Sequence, residues 1–168
     1  PPLYSSAASD VYKRQLLTGF AAGAISGLAT AYGKLPAFIA TLAMMSIARG
    51  ATLVISQGSP IATAPEVNWL GSSVGRFPIP IIMMLLAGVL CWFILSRTVL
   101  GRSMYAIGGN IEAARLSGIP VRRVLVAVYA LSGIFAALAG LVMAGRLSSA
   151  QPQAGAGYEL DAIAAVVI

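Results

Sequence analysis

The sequence predicts an all-α fold, a polytopic bundle of transmembrane helices. Hydrophobic residues occupy 58% of the 168 positions and charged residues only 10%. Soluble domains carry roughly a quarter charged residues, so this chain lacks the charge needed to cover a surface that faces water. Long stretches without charge agree with this interpretation, as do small residues placed at helical intervals within them. We therefore exclude a soluble globular domain.

Four stretches of the chain contain no charged residue, and a fifth apolar stretch lies at the end of the sequence. A helix rises 1.5 Å per residue, so about 20 residues cross the ~30 Å hydrocarbon core of a bilayer. Two stretches reach that length directly, the first is marginal, and the second reaches it only by continuing through Arg49. The predicted spans are 16–33, 36–55, 77–96, 124–145 and a fifth, truncated span at 159–168.

The distribution of arginines predicts the orientation of these spans. Residues 97–123 contain five arginines and a single acid, Glu112. Loops rich in Lys and Arg stay on the cytoplasmic side of a membrane. Counting crossings from this loop places 56–76 and 146–158 in the periplasm and the turn around Lys34 in the cytoplasm. The basic residues are scattered between apolar runs, so the net charge of +6 reflects this bias and does not predict nucleic-acid binding.

The first fifteen residues do not fit this arrangement. They would lie outside, yet they carry Lys13 and Arg14 beside the first span. They lack the basic start, apolar stretch and cleavage site of a signal peptide. The letters DVYKRQ resemble adaptor-derived translations at the ends of metagenomic reads. We therefore predict that 1–15 is a non-native or disordered leader, that 16–168 is a partial membrane domain, and that the chain is a fragment.

Glycines and alanines recur along two of the predicted spans. Gly19, Gly23 and Gly27 form a doubled GxxxG pattern, and small residues recur from Gly133 to Gly140 in the fourth span. Such patterns allow the backbones of neighbouring helices to approach closely. The small residues therefore predict a tightly packed bundle of helices. The pattern fits a bundle that moves as a unit, and it fits ordinary helix packing equally well.

The residues needed for catalysis or metal binding are scarce. The chain has no histidine and one cysteine, Cys91, which lies within an apolar run. The nearest approach to a phosphate-binding loop, GLATAYGKL, is one residue too long, and Leu35 stands where Ser or Thr would be needed. Gly155-Ala156-Gly157 lacks the third glycine of a dinucleotide fingerprint. We predict no catalytic, cofactor-binding or metal site, and no enzyme activity in this chain.

The arginine-rich loop contains the signals of one short helix. Asn110 is able to cap it, Glu112 falls in its first turn, and Gly118 with Pro120 ends it. Two turns of helix are not stable alone in water, so this helix needs a partner surface or the face of the bilayer. The pattern favours either a docking element or an ordinary loop helix on the membrane.

Here the sequence resembles a known family. EAARLSG, residues 112–118, is similar to the EAA…G loop of ABC importer permeases. PAFIATLAMMSIARG, AIGGNIEAARLSGI and RLSSAQPQAGAGYELDAIAAVVI resemble the ribose-type monosaccharide permeases, and the similarity extends over residues 16–168. The resemblance implies the membrane subunit of an ATP-driven importer of a monosaccharide, with ribose as the first choice, in the bacterial inner membrane.

The resemblance also implies a set of partners. These are a second permease copy, cytoplasmic ABC ATPases that bind ATP and Mg²⁺, and a periplasmic sugar-binding protein, besides the lipid bilayer. The short helix would dock on the ATPase, and the coupling residues would be Asn110, Glu112, Ala113, Ala114, Arg115 and Gly118. Three alternatives stay open: an ABC permease for another pentose, a hexose or a branched-chain amino acid; a secondary transporter; and a membrane scaffold without an ATPase partner.

Three further charged residues are candidates for function. Arg49 lies within a predicted span, towards its outer end, where it would snorkel to water, bond a neighbouring helix or act in the pathway. Glu159 and Asp161 are two residues apart and do not share a helix face. We predict that both acids lie at the water-exposed start of a helix. The second hypothesis is that they help to form the external mouth of the transport pathway.

Overall fold

The structure, a computed structural model, describes residues 3–74 and 77–167. Residues 1–2 of the predicted leader, Arg76 of the predicted external loop and Ile168 of the fifth predicted span lie outside the described residues. The chain is mainly helical, which confirms the predicted fold class. The helices are α1 (Leu3–Ala31), α2 (Ala37–Ser56), α3 (Pro65–Asn68), α4 (Ile79–Arg97), α5 (Val99–Gly109), α6 (Ile111–Leu116), α7 (Val121–Leu147) and α8 (Tyr158–Val167). A 3₁₀ turn covers Trp69–Gly71, and four two-residue strands are β1 (Ile61–Ala62), β2 (Ser73–Val74), β3 (Phe77–Pro78) and β4 (Ser149–Ala150).

Helices α1 and α7 form a closely packed antiparallel pair. A Cβ atom built at Gly23 would overlap the carbonyl oxygen of Tyr129, and one built at Gly27 would lie 2.9 Å from the Cα of Val126. Gly19 and Gly133 meet backbone to backbone at the other end of the contact. The doubled GxxxG pattern therefore performs the packing role predicted for it, because only glycine leaves room for the opposing backbone.

Three helices among the described residues are long and apolar enough to cross a membrane: α2, α4 and α7. They correspond to the predicted spans 36–55, 77–96 and 124–145. The predicted span 16–33 lies in α1 up to Ala31, with its last two residues in the following turn, and α1 is not one of these three. Helix α4 begins two residues later than predicted, since Phe77–Pro78 instead pairs with Ser73–Val74 as a short antiparallel ladder.

The structure describes most of the predicted leader, and it is helical there. Residues 3–15 form the first turns of α1 and continue without a break into its apolar part. No Gly or Pro interrupts the chain between residues 3 and 18, so nothing in the local sequence ends the helix there. Tyr12 packs beside the buried cluster of Val67, Leu70 and Leu141. The described part is thus helical, and its assignment as a non-native or disordered leader stays a prediction.

The two loops predicted to face the periplasm meet at one end of the molecule. Ile61 pairs with Ala150 and Ala62 with Ser149, which joins β1 to β4. Beside this ladder, α3 and the 3₁₀ turn pack against the end of α7, where a Cβ at Gly145 would overlap the carbonyl oxygen of Val67. Both loops therefore lie on the same side of the bundle, as the predicted topology requires.

Candidate functional site

A sharp bend after α4 positions the arginine-rich loop. The Thr98 side chain caps α5 by accepting a hydrogen bond from the backbone N–H of Gly101, at 3.1 Å. Gly101 is buried, and a Cβ there would overlap the carbonyl oxygen of Leu95. The bend thus depends on glycine at this position. The sequence analysis did not predict α5. Thr98 is the signal that could have indicated it, because threonine is a favoured residue at the N-cap of a helix.

Helix α6 begins where the sequence predicts. The Oδ1 atom of Asn110 accepts hydrogen bonds from the backbone N–H groups of Glu112 and Ala113, each at 3.0 Å. These are two of the amide groups that have no partner within the helix. The side chain of Glu112 lies in the first turn, where its charge is favourable to the helix dipole. The predicted cap is therefore present.

Helix α6 also ends where the sequence predicts, through a Schellman motif. Gly118 has a φ of +81°, and its N–H donates to the carbonyl of Arg115 at 3.1 Å. The N–H of Ile119 donates to the carbonyl of Ala114, also at 3.1 Å. This left-handed conformation is favourable for glycine and costly for residues with a Cβ. Pro120 follows at the N-cap position of α7, so only a few residues separate α6 from the long helix.

One face of α6 is turned outward and the other packs on the chain. Leu116 is 87% exposed and Ile111 is 48% exposed, while Ala114 is only 4% exposed. The side chains of Glu112, Ala113 and Arg115 are exposed as well. The structure thus divides the predicted coupling residues: Ala114 contributes to packing within the chain, and its neighbours form the outer surface. Their role towards an ATPase stays a prediction.

The surroundings of α6 are strongly basic. The exposed arginines are Arg97, Arg102, Arg115, Arg122 and Arg123. Arg122 also contacts the turn after α1, where its guanidinium lies 5.4 Å from the centre of the Tyr32 ring. The predicted cytoplasmic turn and the arginine-rich loop are therefore neighbours, at the end of the α1–α7 pair opposite the β1–β4 ladder.

The other predicted site residues lie apart from α6. Arg49 is partly exposed on α2, about two turns before the outer end of that helix. An Oε2 atom of Glu159 accepts a hydrogen bond from the N–H of Gly157 at 3.0 Å, so this carboxylate caps the start of α8. Asp161 is exposed in the same first turn. The geometry accounts for Glu159 as a helix cap, and a role of either acid at an external mouth stays a prediction.

The side chains that bind metal ions are dispersed over the part of the chain that the structure describes. Within residues 3–74 and 77–167, no three His, Cys, Asp or Glu side chains come together in a way that would hold a metal ion. Cys91 is partly buried on α4. The predicted lack of a cofactor in this chain stays a prediction.

Several known proteins are similar to this chain in sequence. The ribose import permease protein RbsC of Escherichia coli K12 is 48% identical over 161 residues, which cover 91% of this chain and 50% of that protein. RbsC of Bacillus subtilis 168 is 51% identical over 148 residues, or 85% of this chain and 46% of that protein. The D-allose transport system permease protein AlsC of E. coli K12 is 41% identical over 155 residues, 91% of this chain and 48% of that protein.

This chain spans about half the length of the curated relatives that it matches. No solved structure matches it. A family model described as the branched-chain amino acid transport system permease component matches residues 15–168, nearly the whole chain. With three apolar helices of spanning length, the chain is part of a multi-pass membrane protein. It therefore belongs to the family of permease components of branched-chain amino acid transport systems, in which it is similar to the ribose import permeases.

Proposed function

We propose that this chain is part of the membrane-spanning subunit of an ATP-driven importer that moves a monosaccharide, ribose, across the bacterial inner membrane. The choice of ribose rests on similarity: identity is 48–51% to ribose import permeases, 41% to a D-allose permease and 39% to an L-arabinose permease. ATP hydrolysis is assigned to a separate subunit. A second permease copy and a periplasmic sugar-binding protein complete the assembly.

The observation that carries the coupling part of this proposal is the outward face of α6. A six-residue helix is too short to be stable alone, yet both of its ends are closed by local hydrogen bonds. Its exposed face carries Leu116, Ile111 and Arg115. A rigid, capped helix with an exposed leucine suits a groove on a partner protein, because burial of a leucine side chain stabilises a complex by about 2 kcal/mol.

The short connection between α6 and α7 would transmit a displacement of α6 to the long helix. Only four residues, 117–120, join the two helices, among them Gly118 and Ile119, which donate hydrogen bonds back to α6. A displacement of α6 by the ATPase would therefore move the start of α7, and α1 with it, since the two long helices are interlocked at their glycines. In this mechanism, alternating access follows from movement of the α1–α7 pair as one body.

The test is transport by the complete assembly. The full-length permease is reconstituted into proteoliposomes with the ATPase and the binding protein of its gene neighbourhood, and uptake of labelled D-ribose, D-allose, L-arabinose and leucine is measured with and without ATP. The proposal predicts ATP-dependent uptake of ribose in preference to the other three solutes. Uptake of leucine in place of sugars would favour the amino-acid alternative that the family description allows. Uptake driven by an ion gradient without ATP would favour a secondary transporter.

A further inference from the structure

A cavity of about 600 Å³ lies at the end of the molecule where the β1–β4 ladder forms. It is bounded by α7, by the outer end of α2, by the segment around α3 and by the loop from Ser149 to Tyr158. Val11 and Gln15 of α1 close the remaining side; both fall in the segment predicted to be non-native, so neither is given a role. The volume is in the range of small-molecule sites, about 300–1,000 Å³.

The residues that line this cavity carry no charge, and all belong to the described part of the chain. Besides Gln15, five of them are neutral polar residues placed around an apolar floor, namely Thr52, Thr63, Ser149, Gln151 and Tyr158. An ion entering this space would lose water without gaining a partner of opposite charge, which is costly in an apolar setting. The lining therefore favours a neutral ligand.

Three of the four hydroxyl side chains in the lining, those of Thr52, Thr63 and Ser149, have their own protons engaged within the chain. Thr52 donates to the carbonyl of Arg49 at 2.8 Å. Thr63 donates to Oδ1 of Asn68 at 2.6 Å, and Ser149 donates to the carbonyl of Leu147 at 3.2 Å. Each of these oxygens is left with acceptor capacity only. A ligand that satisfies them must bring several hydrogen-bond donors of its own.

The wall formed by α7 supplies space and apolar contact. It presents small side chains, among them Ala136, Ala139 and Gly140, and a Cβ atom built at Gly140 would meet only one side-chain atom, at 3.6 Å. On the opposite side, the ring of Tyr158 offers a flat face, and Gly155, with a φ of +79°, allows the loop to turn beside it. An apolar floor, acceptor oxygens and an aromatic ring together match a compact molecule with many hydroxyl groups.

We infer that this cavity is a binding site for a neutral, hydroxyl-rich ligand of monosaccharide size, on the external side of the permease. The inference rests on the proposed function for its orientation and for ribose as the probe. Thr52, Thr63 and Ser149 accept hydrogen bonds from ligand hydroxyls, the Gln151 amide supplies a donor, and Tyr158 contacts an apolar face of the ligand ring.

Protection of an engineered cysteine tests this site directly. Ala139→Cys is introduced into the full-length permease after Cys91→Ala and replacement of any other cysteine, and the rate of modification by methyl methanethiosulfonate is followed in the reconstituted complex. Saturating D-ribose is expected to slow modification at least threefold. D-Ribose 5-phosphate, which adds a charge to the same sugar, is expected to give no protection. Gln153→Cys lies in the same loop outside the lining, and its rate should not change with ribose.

A second variant distinguishes protection by direct contact with ribose from protection by a conformational change of the permease. Adding Gln151→Leu to Ala139→Cys keeps a side chain of similar size but removes the amide, so ribose protection should fall to less than half. The inference is overturned if Ala139→Cys reacts at the same rate with and without ribose, or if it does not react because the cavity is closed to water. Uptake by the unsubstituted complex is measured in parallel. Ribose uptake without protection would reject the site and leave the proposed function intact, whereas absence of ribose uptake would reject the function.

Discussion

The guanidinium of Arg122 lies over the ring of Tyr32, 5.4 Å from its centre. Tyr32 follows α1 and Arg122 belongs to the first turn of α7, so this contact joins the ends of the two interlocked helices beside α6. Tyr32 remains 54% exposed, which places the contact at the edge of the molecule. Cation–π pairs at exposed sites stabilise a protein by about 0.5–1 kcal/mol.

The first prediction concerns this contact. Arg122→Gln removes the positive charge and is expected to lower the free energy of unfolding by about 0.5–1 kcal/mol. Thermal unfolding of the full-length protein in detergent measures the effect. Arg123→Gln is the matched control, because Arg123 is an exposed arginine of the same turn for which no ring contact is found in the described structure. Equal shifts in the two variants would show that net charge alone is responsible.

A second prediction addresses the α1–α7 pair. Gly23→Leu places a side chain where the carbonyl oxygen of Tyr129 already lies, so the helices must separate. Overpacking of this kind costs about 1–3 kcal/mol, which thermal unfolding of the full-length protein would detect. Gly88→Leu on α4 is the control, since a Cβ at Gly88 meets no atom within 4 Å. A Gly23→Leu protein as stable as the Gly88→Leu protein would contradict the observed close approach.

Much of α6 could be predicted because its signals are local. Asn110 reaches amide groups two and three residues away, and Gly118 sets its own backbone conformation. The close packing at Gly23 was also predictable, because a spacing of four residues in a helix defines one face whatever the partner. The spacing does not identify the helix that packs against this face.

Contacts between distant segments could not be predicted in the same way. The pairing of Ile61 with Ala150 joins residues far apart in sequence, and two-residue strands carry no periodic pattern. Helix α5 was missed since its three glycines lower helix propensity, and the structure shows that one of them, Gly101, is required by the bend at Thr98. The cavity beside Ser149 likewise arises only when the external segments come together.

The third prediction concerns coupling at Gly118. Its φ of +81° is disfavoured for any residue with a Cβ, at a cost of about 1–2 kcal/mol, and a β-branched side chain is least suited to it. Gly118→Val is therefore expected to disorder the exit from α6, and ribose uptake per ATP hydrolysed should fall at least fivefold. Gly118→Asn is the control, because asparagine visits the left-handed region more readily. Normal coupling in Gly118→Val would defeat the assignment.

The last prediction tests the orientation on which the coupling proposal depends. Leu116 is 87% exposed on α6, and Gln153 is exposed in the loop that follows the β1–β4 ladder. Both cysteines are introduced into a Cys91→Ala background. Leu116→Cys should react with a membrane-impermeant maleimide only when the reagent reaches the cytoplasmic side of the membrane. Gln153→Cys should react only when the reagent reaches the periplasmic side. The reason is the excess of arginine around α6, which opposes its transfer across the membrane. Labelling of Leu116→Cys in intact spheroplasts would place α6 outside the cell, where ATP and an ATPase are absent, and the coupling role would be untenable.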